Sequence, residues 1–210
     1  HKRYNKRICR FNKKKMVPHK NLIDLDECVI NALNLFIRKK PPKIKINFKR
    51  PLVLGSGNSA VTGKIIFNDN DAIFADESNY KHKMKRTKGI DGAVLISASG
   101  GKHAPIIARE LKKRKIKTIL LTNNKKAEAS KFVNKTYIFP KNIEPYTYNT
   151  STYMGMILSK TGENSKNILN YLKKIKVPNN LRRYDAFYFI VPKEFELIKG
   201  SNKPILGICE

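Results

Sequence analysis

Short apolar runs alternate with amphipathic stretches along most of this chain. Leu52–Leu54, Ala72–Ala75, Ala93–Ile96, Thr118–Leu121 and Thr136–Phe139 are brief and nearly continuous in apolar residues. Parallel strands covered on both faces read this way, whereas a half-solvated strand alternates. Between and after them lie helical spacings at Asn58–Phe67, Ala104–Lys115 and Lys126–Val133, then Thr147–Ser159 and Ser165–Lys174 around Gly162. Strand and helix in alternation predict an α/β domain with a doubly wound five-stranded parallel sheet flanked by helices.

Ahead of the sheet, Asp24 to Arg38 places Leu25, Val29, Ala32, Leu33 and Phe36 on one helical face. Asp24 and Glu27 have the spacing of a capping box, and Pro41-Pro42 ends the segment. Because the sheet already has covering helices, that apolar stripe is expected to lie against a partner, in a homodimer or a tandem copy. The organisation expected is a basic flexible arm at 1–20, an N-terminal helix at 21–45 and the α/β domain at 46–178. Residues 179–210 would hold a linker, signalled by Pro178-Asn179-Asn180, and the start of a truncated second domain at Ala186–Val191. No internal repeat is visible.

A chain of 210 residues can hold one sizeable α/β domain with extensions. No apolar stretch is long enough to span a bilayer, and no signal-peptide pattern opens the chain, whose first residue, His1, fits a fragment. Cys9, Cys28 and Cys209 are sparse and far apart, which fits a reducing, cytoplasmic setting, with Cys28 as core. His1, His19, His82 and His103 do not pair with them at ligand spacing, so neither a metal site nor a cofactor is expected. The net charge of +28 raises the question of nucleic acid. Lysine dominates, the charge is spread along the chain, and the core segment lacks aromatic–basic interleaving. A compositional origin is favoured over a nucleic-acid partner, and no membrane partner is expected.

The chemistry concentrates at two strand ends. Leu52-Val53-Leu54 runs into Gly55-Ser56-Gly57-Asn58-Ser59, and Ala93–Ile96 runs into Ser97-Ala98-Ser99-Gly100-Gly101. A strand that feeds a helix N-terminus through small residues is a ready anion site, with free N–H groups and the positive end of the helix dipole. Hydroxyls add donors, and glycines allow close approach. Two such loops predict one crevice at the carboxyl edge of the sheet and a small phosphorylated metabolite in it. Gly55-x-Gly57-x-x-Ala60 with Asp76 further on also satisfies a relaxed dinucleotide fingerprint, so an oxidoreductase domain is a rival. That fingerprint leaves the second loop unexplained. A P-loop is excluded, because neither cluster supplies G-x-x-x-x-G-K-[ST].

Gly55-Ser56-Gly57-Asn58-Ser59 resembles the G-x-G-x-S turn of the sugar isomerase (SIS) domain family, and Ile96-Ser97-Ala98-Ser99-Gly100 resembles its S-x-S-G signature. Glu144 to Thr152 is similar to the third region, in which an acidic residue precedes a Ser/Thr-rich helix start. The resemblance covers about residues 46–176. It implies that Ser56, Gly57, Ser59, Ser97, Ser99 and Gly100 hold the phosphate of a sugar phosphate, in a domain that works as a dimer or tandem pair. The family's Glu-Thr after S-x-S-G is replaced here by Gly101-Lys102-His103, with Lys102 as the substitute phosphate contact.

Ketose–aldose isomerisation needs a base to move a proton between C1 and C2, and a group to open the ring. The resemblance points to Glu144 as the base, and His103 is the candidate for ring opening. The altered Gly101-Lys102-His103 leaves a second class open, a non-catalytic phosphosugar-sensing module.

Overall fold

The computed structural model describes residues 25–143, 148–176, 188–191 and 206–209. Five parallel strands form the central sheet: β1 (Pro51–Leu54), β2 (Ile73–Ala75), β3 (Gly92–Ile96), β4 (Thr118–Thr122) and β5 (Lys135–Ile138). Their spatial order is β2-β1-β3-β4-β5. Val53 pairs with Phe74 on one side and Val94 on the other, so β1 and β3 are neighbours.

This order fixes where the helices go. Right-handed crossovers running outward in opposite directions from β1 and β3 put their helices on opposite faces. Accordingly α2 (Asn58–Ile66) lies on one face with α5 (Tyr148–Thr161), where Val53, Val94, Ile96 and Leu121 meet Ile66, Phe67 and Met156. On the other face, α3 (Tyr80–Arg86) and α4 (His103–Lys113) cover Leu52, Leu54, Leu95 and Leu120 through Tyr80, Ile107, Ala108 and Leu111. The chain reverses its winding direction between β1 and β3, and at such a point the loops diverge and leave a crevice.

The helix α1 (Leu25–Arg38) packs on α5, and α6 (Ser165–Leu172) packs on α1. Ala32, Leu33, Leu35 and Phe36 are buried against Leu158 and Leu169. Ala32, Leu33 and Phe36 of the apolar stripe are therefore covered within the chain, correcting the expectation that they lie against a partner. Gly155 makes the close approach possible, because a Cβ there would stand 2.9 Å from the Phe36 ring. Cys28 is fully buried, as a core residue should be.

One further reading is corrected in detail, and two elements lie beyond what the sequence pattern predicts. The segment expected to be helical at Lys126–Val133 is a 3₁₀ turn, Glu128–Phe132. Its Ala129 N–H donates to Gly100 O, drawing the backbone onto the loop after β3. The helix α3 was not anticipated, since Tyr-Lys-His-Lys-Met-Lys-Arg carries no apolar stripe and buries only Tyr80. The end of the chain contains β6 (Tyr188–Val191) paired in parallel with β7 (Leu206–Cys209) in a separate two-stranded sheet. Residues 1–20, Asp24 and Pro178-Asn179-Asn180 lie outside the described residues. No described helix is long and apolar enough to cross a membrane, and no described group of three His, Cys, Asp or Glu is placed to hold a metal.

Candidate functional site

The two serine–glycine loops meet at the winding reversal. The first joins β1 to α2, the second joins β3 to α4, and between them lies a cavity of about 160 Å³. Ser56, Ser59, Ser97, Ser99, Lys102 and His103 all line it, so the structure brings these sequence-selected residues together. Gly57 and Gly100 are not in the lining; they shape the loops. Glu144 lies outside the described residues.

The two loops enter their helices in nearly the same backbone conformation. The residue before α2 is Gly57 at φ 54°, ψ −128°, and the residue before α4 is Lys102 at φ 51°, ψ −112°. Neither helix has a side-chain cap. The Ser59 and Ala60 N–H groups donate to Ser56 O and Gly57 O, the Ala104 N–H donates to Gly101 O, and Pro105 has no N–H, so the loop backbone closes both first turns and the two helix dipoles give the crevice its positive rim.

Each serine has a distinct arrangement. Ser97 Oγ accepts from the Gly100 N–H at 3.2 Å, and Ser99 Oγ accepts from the Gly101 N–H at 3.3 Å. Accepting uses a lone pair and leaves each hydroxyl proton to donate. Ser59 is buried and its Oγ lies 3.0 Å from Tyr153 OH, so these two hydroxyls act as a pair. Tyr153, partly buried against the sheet, thereby positions Ser59.

Neighbours brace the second loop. Thr122 Oγ1 donates to Ala98 O at 2.9 Å, and Asn124 Nδ2 donates to Ser99 O at 2.9 Å. Gly100 has φ +62°, and a Cβ there would fall 2.3 Å from the Ala127 Cβ, so both conformation and space require glycine. The sequence signal for this support is the polar Thr122-Asn123-Asn124 that follows the apolar Ile119-Leu120-Leu121.

One lining residue was missed altogether. Glu77, just beyond β2, borders the same cavity. The preceding Asp76, the acidic residue of the dinucleotide reading, has one carboxylate oxygen fully engaged within its own turn. Its Oδ1 accepts from Ser78 Oγ at 2.6 Å, Ser78 N at 2.8 Å and Asn79 N at 3.1 Å. The Ser78 hydroxyl, followed by the Ser78 and Asn79 N–H groups, holds that carboxyl below its ordinary range. The strand order also departs from a dinucleotide domain, where the third strand lies outside the second rather than beside the first.

The sheet order, with helices on both faces and paired loops at the winding reversal, is a doubly wound α/β fold that this chain shares with solved structures. Two solved structures are similar to this chain. An E. coli CFT073 protein in complex with a sugar phosphate matches at 15% identity and TM-score 0.51, over 72% of this chain and 88% of that one. Glucosamine-6-phosphate deaminase from Thermotoga maritima matches at 18% identity and TM-score 0.53, over 80% of this chain and 60% of that one. At these identities the likeness is one of fold. No family model matches the sequence, and no curated protein matches it either.

Proposed function

We propose that this chain binds a sugar phosphate, with the phosphate seated between the loops after β1 and β3. The observation that carries this reading is the convergence of two helix entries without side-chain caps, alike in conformation, with their serine hydroxyls on one cavity. Ser97 and Ser99 would donate their hydroxyl protons, the Ser59–Tyr153 pair and Ser56 would add donors, and Lys102 would supply a full positive charge. Gly57 and Gly100 would let the anion approach the backbone. The two similar structures support the same ligand class, one having been solved with a sugar phosphate and the other being called a deaminase of glucosamine 6-phosphate.

Catalysis is the finer reading. Glu144 would serve as the base for ketose–aldose isomerisation, and His103, which lines the cavity, would open the ring. The replacement of the family's Glu-Thr by Gly101-Lys102-His103 favours the second reading, a phosphosugar sensor without turnover.

A thermal-shift panel tests binding, because a ligand that prefers the folded state raises Tm. Fructose 6-phosphate or glucosamine 6-phosphate should stabilise the protein, and NAD and NADP should not. A shift with NAD alone would overturn the assignment. Ser97→Ala and Ser99→Ala should each weaken binding about tenfold to a hundredfold, since a hydrogen bond to a charged group contributes about 1.5–3 kcal/mol. Exchange of solvent deuterium into C1 or C2 of a bound ester separates the enzyme from the sensor. If exchange occurs, Glu144→Gln should abolish it with little loss of affinity. Its absence with every ester that binds would leave the sensor.

A further inference from the structure

We propose that the crevice has a second compartment, and that Glu77 is the carboxylate that receives the hydroxyls of the ligand there. The proposal rests on the phosphate reading of the serine loops and extends it to the rest of the ligand. A second cavity, of about 330 Å³, is lined by Glu77, Ser78, Tyr80, Lys81, His103 and Ile106. Glu77 and His103 also line the cavity at the serine loops, so the two adjoin along these side chains. A phosphate ester seated on the loops has its carbon chain to place, and the adjoining space accepts it.

The chemistry of that space suits a polyol. An ionised carboxylate offers two acceptor oxygens and can take hydrogen bonds from two vicinal hydroxyls at once. Such charge-assisted bonds are stronger than neutral ones. Glu77 is also held for the task. Asp76 clamps the turn through Ser78 and Asn79, Asn79 Oδ1 accepts from the Asp76 N–H at 3.1 Å, and the Tyr80 N–H donates to Asp76 O at 3.1 Å. The backbone that carries Glu77 is thus fixed by a closed knot of hydrogen bonds, while its exposed side chain is left to meet a ligand.

Charge gives the second argument. The chain has 44 Lys and Arg against 16 Asp and Glu, yet this carboxylate borders a site built for an anion. Towards phosphate alone, Glu77 is repulsive. It favours binding only where another part of the ligand donates hydrogen bonds to it. Glu77 therefore discriminates a phosphorylated polyol, with vicinal hydroxyls away from the phosphate, against bare phosphate.

Calorimetric titration of wild type, Glu77→Ala and Glu77→Gln with fructose 6-phosphate, glucosamine 6-phosphate and inorganic phosphate tests this. Glu77→Ala should weaken the sugar esters about tenfold or more and leave inorganic phosphate unchanged or tighter. Glu77→Gln, which keeps one acceptor oxygen, should fall between. Unchanged Tm for both variants would confirm that the fold is intact. Ester affinity within twofold of wild type in Glu77→Ala would overturn the proposal while leaving the phosphate site standing. Equal weakening of ester and phosphate would also overturn it, since Glu77 would then act through the loops. Failure of wild type to bind phosphate or either ester would remove the phosphate reading and this proposal together.

Discussion

Lys102 stands in a backbone conformation that suits glycine. At φ 51°, ψ −112° it matches Gly57 in the other loop, and glycine meets that geometry with no Cβ to clash. A non-glycine residue held outside its favoured regions costs about 1–3 kcal/mol. Lys102→Gly should therefore raise stability by about 1 kcal/mol or more, read as a higher midpoint in urea. The same change removes the cation from the cavity and should weaken sugar-phosphate binding. Opposite signs in the two measurements would identify strain retained for ligand charge; a loss in both would show that the lysine stem is needed for packing. This scale also shows what was legible in the sequence. Ser97, Ser99, Ser59 and the glycines announce themselves by following apolar runs. Glu77 follows one as well, but β2 is only Ile73–Ala75, and a lone carboxylate after a short strand has no pattern to mark it.

The elements were legible wherever burial imposed a pattern. β1, β3 and β4 are buried at every position, so their apolar runs stood out. The α1 stripe was equally clear, but periodicity names a buried face without naming what covers it. Here α5 and α6 cover it, which a layer count based on the sheet alone does not anticipate. That difference has a measurable consequence. Phe36 is 2% exposed, and Phe36→Ala should cost about 3–5 kcal/mol through lost burial and the cavity left behind. Ile37, 40% exposed on the next position, should tolerate Ser within about 0.5 kcal/mol. Because Phe36 packs within one chain, its cost should be the same at low and high protein concentration. A cost that grows with dilution would restore the partner interface as the cover for α1.

Across the whole molecule, the charge of +28 links stability and binding through one variable, ionic strength. Like charges repel in the compact state, and the same field draws anionic ligands toward the crevice. The screening length falls from about 30 Å at 0.01 M salt to about 10 Å at 0.1 M. Added salt should therefore raise Tm by relieving repulsion and, in the same range, slow the capture of a dianionic sugar phosphate. The dissociation rate depends on short contacts to the serine hydroxyls and backbone N–H groups, and it should change much less. Stopped-flow mixing of the protein with a sugar phosphate at 0.01 M and 0.1 M salt, beside thermal melts at both, separates the two effects. The expected result is a slower on-rate, a nearly constant off-rate and a higher Tm in salt. An on-rate indifferent to salt would mean that capture is governed by the crevice alone, with the surrounding lysines acting only as a solvated surface.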